Sequence, residues 1–107
     1  MIPKNKRVKD SKLAKHMKEE VGCCECCGSY YFLEWAHIIS RGANGPDIRE
    51  NGCVLCGPAR YGAGCHGANH KGKISQEQLF EIAARREGIT PEECRARVRR
   101  AMGYNVY

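Results

Sequence analysis

The chain has 107 residues, only 7% of them aromatic, and a formal net charge of +6. A domain this small with a thin core sits near the size at which apolar burial stops sufficing, so a staple of disulfides or bound metal is expected. No apolar run approaches the roughly 20 residues of a membrane span, and the basic opening MIPKNKRVKD lacks the apolar stretch of a secretory signal. The sequence therefore predicts a cytoplasmic protein in a reducing compartment. There the eight cysteines read as metal ligands rather than disulfides.

Three zones follow in chain order. Residues 1–22 form a basic arm, with Lys4, Lys6, Arg7 and Lys9, and then a short helix. Asp10 or Ser11 could cap that helix, Leu13 and Met17 lie four apart on one face, and Gly22 ends it. Residues 23–74 hold seven of the eight cysteines and little helical periodicity, which points to short strands and turns. Residues 75–107 are a helical extension. In SQEQLFEIAARREG, Ser75 and Gln78 read as a capping box, Leu79, Ile82 and Ala83 share one face, and Gly88 is the stop. TPEECRARVRRAMG repeats the pattern, with Thr90 as cap, Pro91 in the first turn, Glu93 closing the box and Gly103 as the stop.

The middle zone carries the chemistry. CCECCG offers two overlapping C-x2-C pairs, Cys23/Cys26 and Cys24/Cys27. Such a pair turns tightly so that both sulfurs face one metal. Gly28 follows Cys27 and tolerates the backbone that ends the turn, which favours Cys24/Cys27. The second half-site comes from Cys53, Cys56 and Cys65. GCVLC reads as a strand, which makes Cys53 a core residue, and Cys56 and Cys65 then flank the loop GPARYGAG. The sequence thus predicts a structural zinc on Cys24, Cys27, Cys56 and Cys65, with Cys94 as plain packing on the last helix.

Two features suggest a second site. LEWAHIIS sets His37 inside the most apolar run. Fourteen residues on from His37 comes Asn51 and then, directly after Cys65, His66, with His70 four further. That i, i+4 spacing aims two imidazoles at one metal.

In this ordered set, from CECCG through LEWAHIIS and NGCVLC to CHGANHKGKIS, the chain resembles the HNH endonucleases. These have the ββα-metal, or His-Me finger, fold, and the likeness is to their zinc-stabilised phage and bacterial branch. It covers about residues 24–74. It implies a small α+β fold in which a β-hairpin and a following helix hold one catalytic divalent metal (Mg²⁺, Mn²⁺, Ni²⁺ or Zn²⁺), with zinc bracing the hairpin. By resemblance His37 is the general base that takes a proton from the attacking water. Asn51 bonds backbone across the loop to hold that base, and His66 and His70 are metal ligands. The residue before the base, where the family has an Asp or His ligand, is Ala36. Glu34, on the same strand face, or Asp47 in the loop could replace it. The eight-residue spacer between Cys56 and Cys65 also exceeds the family's usual two.

The implied function is metal-dependent hydrolysis of DNA phosphodiesters, leaving 5′-phosphate and 3′-hydroxyl ends. The alternative is a non-catalytic, zinc-braced nucleic-acid-binding module, and a third reading is a zinc-ribbon domain with a protein partner. In either nucleic-acid reading the basic arm and Arg95, Arg99 and Arg100 of the last helix are expected to meet phosphates rather than bases.

Overall fold

The computed structural model describes residues 6–104. Helix α1 (Leu13–Val21) precedes a hairpin of β1 (Leu33–His37) and β2 (Gly52–Cys56), followed by α2 (Gly64–His70), α3 (Gln76–Glu87) and α4 (Pro91–Ala101). It is a small α+β fold with a two-stranded sheet, four helices and a cluster of cysteines. Among the described residues, no helix is long and apolar enough to cross a membrane.

The strands are antiparallel, with Leu33 opposite Cys56, Trp35 opposite Val54 and His37 opposite Gly52. A lone two-stranded hairpin is marginal in water; here helices cover both faces. Side chains alternate along a strand, so Leu33, Trp35 and Val54 meet Leu13 and Met17 of α1 on one side. Ala36, Cys53 and Leu55 meet Leu79, Phe80 and Ala83 of α3 and Val98 of α4 on the other. β2 is buried along its whole length, which explains its unbroken apolar run. Met17, Leu55 and Phe80 are almost fully buried, and each contributes about 1.5–3 kcal/mol relative to exposure.

The helix ends follow local chemistry with two corrections. In α3 the Ser75 side chain accepts from Gln78 N–H, and Gln78 Oε1 accepts from Ser75 N–H in return. In α4 Thr90 Oγ1 accepts from Glu93 N–H, but the Glu93 carboxylate goes to Arg97 and Arg100 instead of closing the box. Neither Asp10 nor Ser11 is the cap of α1; Lys12 holds that position with no side-chain bond. The Asp10 carboxylate accepts the Lys12 N–H one turn earlier, so it shapes the approach to the helix.

A polar clamp ties α3 to the hairpin. The Arg86 guanidinium donates to Glu25 Oε1 at 2.6 Å, to Glu87 Oε2 at 2.7 Å and to the carbonyls of Arg49 and Gly52. It also lies over the Trp35 ring. Burial alone would lower the Arg86 pKa, yet Glu87 and Glu25 outweigh it and the net shift is upward. Glu25, inside the cysteine turn, also exchanges backbone and side-chain bonds with Val54 of β2. Arg86 is thus spent inside the fold.

Candidate metal centre and histidine site

Cys24 and Cys27 come from the turn before the hairpin, Cys56 from the last position of β2 and Cys65 from the first turn of α2. All four Sγ atoms lie within 4.8 Å of one another, and Cys27 and Cys56 are 3.6 Å apart. Zn–S bonds of about 2.3 Å in a tetrahedron put neighbouring sulfurs about 3.8 Å apart, so the cluster has the dimensions of such a site. Local backbone makes it possible. Gly28 has φ +81° where the turn ends. At Gly64, φ is +69°, and a Cβ would stand 2.4 Å from the Cys56 carbonyl oxygen; only glycine lets α2 start that close to β2.

The four sulfurs differ in their surroundings. Cys24 Sγ accepts N–H bonds from Cys26 and Cys27, and Cys56 Sγ accepts one from Cys65. Burial raises the Cys24 pKa, but these donors and its neighbours bring it down to about 7. At Cys56 the Cys65 N–H lowers the pKa, while burial and the Cys27 thiol prevail and raise it. Cys65 is pushed well up by burial and by the thiols around it. Sulfurs must be deprotonated to ligate a metal, and a bound cation would take up their charge. The four cysteines could hold a metal ion such as zinc. The other register is not used: Cys26 is exposed and Cys23 half-buried, and neither belongs to the four. Cys53 is buried with its thiol on the Leu79 carbonyl. Cys94 is buried against the Glu50 carbonyl, and burial raises its thiol to about 11.

His37 ends β1, on the strand side of Trp35. Its Nε2 is 2.8 Å from Asp47 Oδ1. The Asp47 carboxylate also accepts from Arg7 Nη1 at 2.7 Å and from the Asp10 N–H at 2.9 Å. Burial would raise the Asp47 pKa; the bonds from Arg7, Asp10 and His37 outweigh it and hold the carboxyl far below the usual range. Arg7 donates as well to the Gly45 carbonyl. Arg7 is therefore an internal anchor, not a free arm residue, while Lys6 and Lys9 are exposed and Lys4 lies outside the described residues. The small cavity beside His37, about 150 Å³, is also lined by Trp35 and Arg41. The Trp35 Nε1–H is buried without a partner among the described residues.

Asn51 is fully buried. Its Oδ1 accepts the Ile39 N–H at 2.8 Å, and its Nδ2 donates to the carbonyls of Ile39 and Pro46, each at 3.0 Å. The amide thus bonds backbone across the loop from His37 to β2.

His66 and His70 share a face of α2, with ring centres 4.5 Å apart and edge-on. His66 Nδ1 lies 3.0 Å from Glu34 Oε1, which also accepts the Ala59 N–H. Burial pushes the His66 pKa down, and Glu34 only partly opposes this. The Glu34 carboxyl is itself lowered, because the Ala59 N–H and His66 outweigh its burial. Glu34 therefore reaches inward as expected from its strand face, but as the partner of an imidazole. Asp47 likewise partners His37. Ala36, between the two, packs in the core.

The structure thus brings together the four cysteines, the pair His66 and His70 with Glu34, and His37 with Asp47 beside the Asn51 loop. His37 and His66 each bond a different carboxylate, Asp47 and Glu34, and no hydrogen bond joins them among the described residues. The four cysteines are the only set of three or more metal-ligating side chains found that close together among the described residues. Sequence reasoning missed the links from Arg7 and Asp10 to Asp47, which join positions about forty residues apart and leave no local pattern. The basic stripe on α4 has partners too. Arg95 lies over Phe80, Arg99 over Tyr104, and Arg100 bonds Glu93.

Comparison of the chain with protein-family models, with curated proteins and with solved structures finds no match.

Proposed function

We propose that the chain is a metal-dependent endonuclease of the HNH type. In this reading β1, β2 and α2 form a ββα-metal core, Cys24, Cys27, Cys56 and Cys65 hold structural zinc, and DNA phosphodiesters are the substrate. The observation that carries it is one constellation: an imidazole at the end of the first strand held by a carboxylate, a buried amide pinning the loop that follows, and two imidazoles one turn apart on the next helix. Four thiolates are a soft donor set suited to zinc.

His37 acts as the general base. With Nε2–H donated to Asp47, Nδ1 keeps the lone pair that takes the proton of the attacking water. Asn51 fixes the backbone on which His37 is carried. His66 and His70 fit as imidazole ligands of a divalent metal. Glu34 on Nδ1 fixes the His66 tautomer that leaves Nε2 for a cation, as carboxylates commonly do for metal-bound histidine. That metal, when bound, polarises the scissile phosphate and stabilises the leaving 3′ oxygen. Exposed Lys6 and Lys9 meet DNA through its phosphates.

The test is cleavage of supercoiled plasmid with Mg²⁺, Mn²⁺ or Ni²⁺ by wild type and His37→Ala at matched purity. Loss of the base should lower the rate by about 10²–10⁴ while zinc content and DNA affinity stay unchanged, because a base acts in the transition state. His66→Ala should instead be partly rescued by more metal. Equal cleavage by wild type and His37→Ala would end the enzyme reading.

One observation favours a second reading. Ala36 is buried in the core, so the position before the base offers no ligand, as in a non-catalytic zinc-braced nucleic-acid-binding module. DNA binding without cleavage under every metal tested would select it.

A further inference from the structure

At the end of the hairpin away from His37, four of the chain's eight aromatic residues point into solvent. Tyr30, Tyr31 and Phe32 are 78%, 77% and 70% exposed, and Tyr61 is 74% exposed. A small domain with so thin a core gains no stability from rings placed there. Phe32 even adopts a positive φ of 49°, a backbone state that non-glycine residues rarely take. Such backbone outliers cluster at binding and catalytic sites.

The two segments are neighbours. Gly57 N–H donates to the Phe32 carbonyl at 2.8 Å, and the turn carrying Arg60 and Tyr61 follows within four residues. The Arg60 guanidinium stacks 4.8 Å from the centre of the Tyr61 ring. Lys71 reaches the same turn, donating to the Gly62 carbonyl. Residues 26–33 and 57–73 contain no Asp or Glu, whereas Arg60, Lys71 and Lys73 are exposed there. Glu34, the nearest carboxylate along the strand, is occupied by His66 and the Ala59 N–H.

Rings open to solvent beside exposed cations suit a polyanion with flat apolar faces. Duplex DNA hides its base faces in the stack; an unpaired strand exposes them. We propose that this surface binds an unpaired nucleic-acid strand, with bases stacked on Tyr30, Tyr31, Phe32 and Tyr61 and phosphates met by Arg60, Lys71 and Lys73. The inference rests on the nucleic-acid part of the reading above and not on its catalytic part.

The test uses the zinc-loaded full chain without added catalytic metal. Fluorescence anisotropy measures affinity for a labelled oligothymidine of about 16 nucleotides and for a duplex of equal length. Wild type should prefer the single strand. Tyr31→Ala and Tyr61→Ala, at positions too exposed to endanger folding, should each weaken single-strand binding by about 5- to 150-fold, the range for loss of one stacked base. Tyr31→Trp should retain it, and duplex affinity should change little in any variant. Unchanged single-strand affinity in the alanine variants would overturn the proposal, and if plasmid cleavage still depended on His37 the nuclease reading would survive that failure. Absence of binding to either oligonucleotide would overturn both. A concentration-dependent dimer that Tyr31→Ala dissolves would also overturn it, by assigning the rings to a second copy of the chain.

Discussion

The two ends of the hairpin are held by different physics. At one end Cys24, Cys27, Cys56 and Cys65 gather four sulfurs within 4.8 Å, and local turns and N–H···S bonds aim them. At the other end His37, Asp47, Arg7 and Asn51 are joined by ordinary hydrogen bonds and ion pairs between distant segments. The first end could hold a metal ion, which would take up the charge of sulfurs that otherwise crowd one another. The second is complete as it stands, because each charge has its counter-charge inside the fold. The difference teaches where each end should fail: one through metal removal and thiol protonation, the other through loss of single polar partners.

The largest effect should come from the cysteine end. Cys27→Ser, or a strong chelator on wild type, should abolish cooperative thermal unfolding. Binding free energies of about 10–16 kcal/mol for structural zinc match or exceed the roughly 5–15 kcal/mol net stability of a whole domain. Circular dichroism melts with metal analysis would show it. A metal-free protein that melts cooperatively would erase the proposed contrast.

Asn51→Ala should come next. It strands one N–H and two carbonyls, at the lower end of about 1–3 kcal/mol for each buried group left unpaired, giving a loss of about 3 kcal/mol in chemical denaturation. Zinc content should be unchanged, which separates the two ends in one variant.

Asp47→Asn should be smaller and should depend on pH. The folded pKa of Asp47 lies below its ordinary 3.8. Its contribution is therefore fully present above that value and is lost as pH falls toward the folded pKa. The stability gap between wild type and Asp47→Asn should be constant from neutral pH to about pH 5 and should narrow below about pH 4. The comparison cancels acid release of metal, which both proteins share. A gap that widens in acid would show that Asp47 is not held ionised by Arg7 and His37.

The sequence made the cysteine end legible because its ligands come as close pairs with glycine behind them. C-x2-C spacing and Gly28 favoured Cys24 with Cys27, and reading GCVLC as a strand made Cys53 a core residue apart from Cys56; the clustered sulfurs agree with both choices. Helices with strong caps were legible for the same reason, since Ser75, Gln78 and Thr90 act within one turn. The i, i+4 spacing of His66 and His70 also placed them on one face, because helix geometry is local.

What only the tertiary structure decided is which charges find each other. Sequence alone placed Arg7 in a basic arm, and Glu34 and Asp47 among candidate ligands. Folding pairs Arg7 with Asp47, Arg86 with Glu25, Asp47 with His37 and Glu34 with His66. A charge has no periodicity to announce its partner, and its energy depends on burial and on a distance set by the packing of separate elements. Spacing along the chain determined the cysteine turn and the helix faces; the seating of the N-terminal segment on the hairpin loop decided the surroundings of His37.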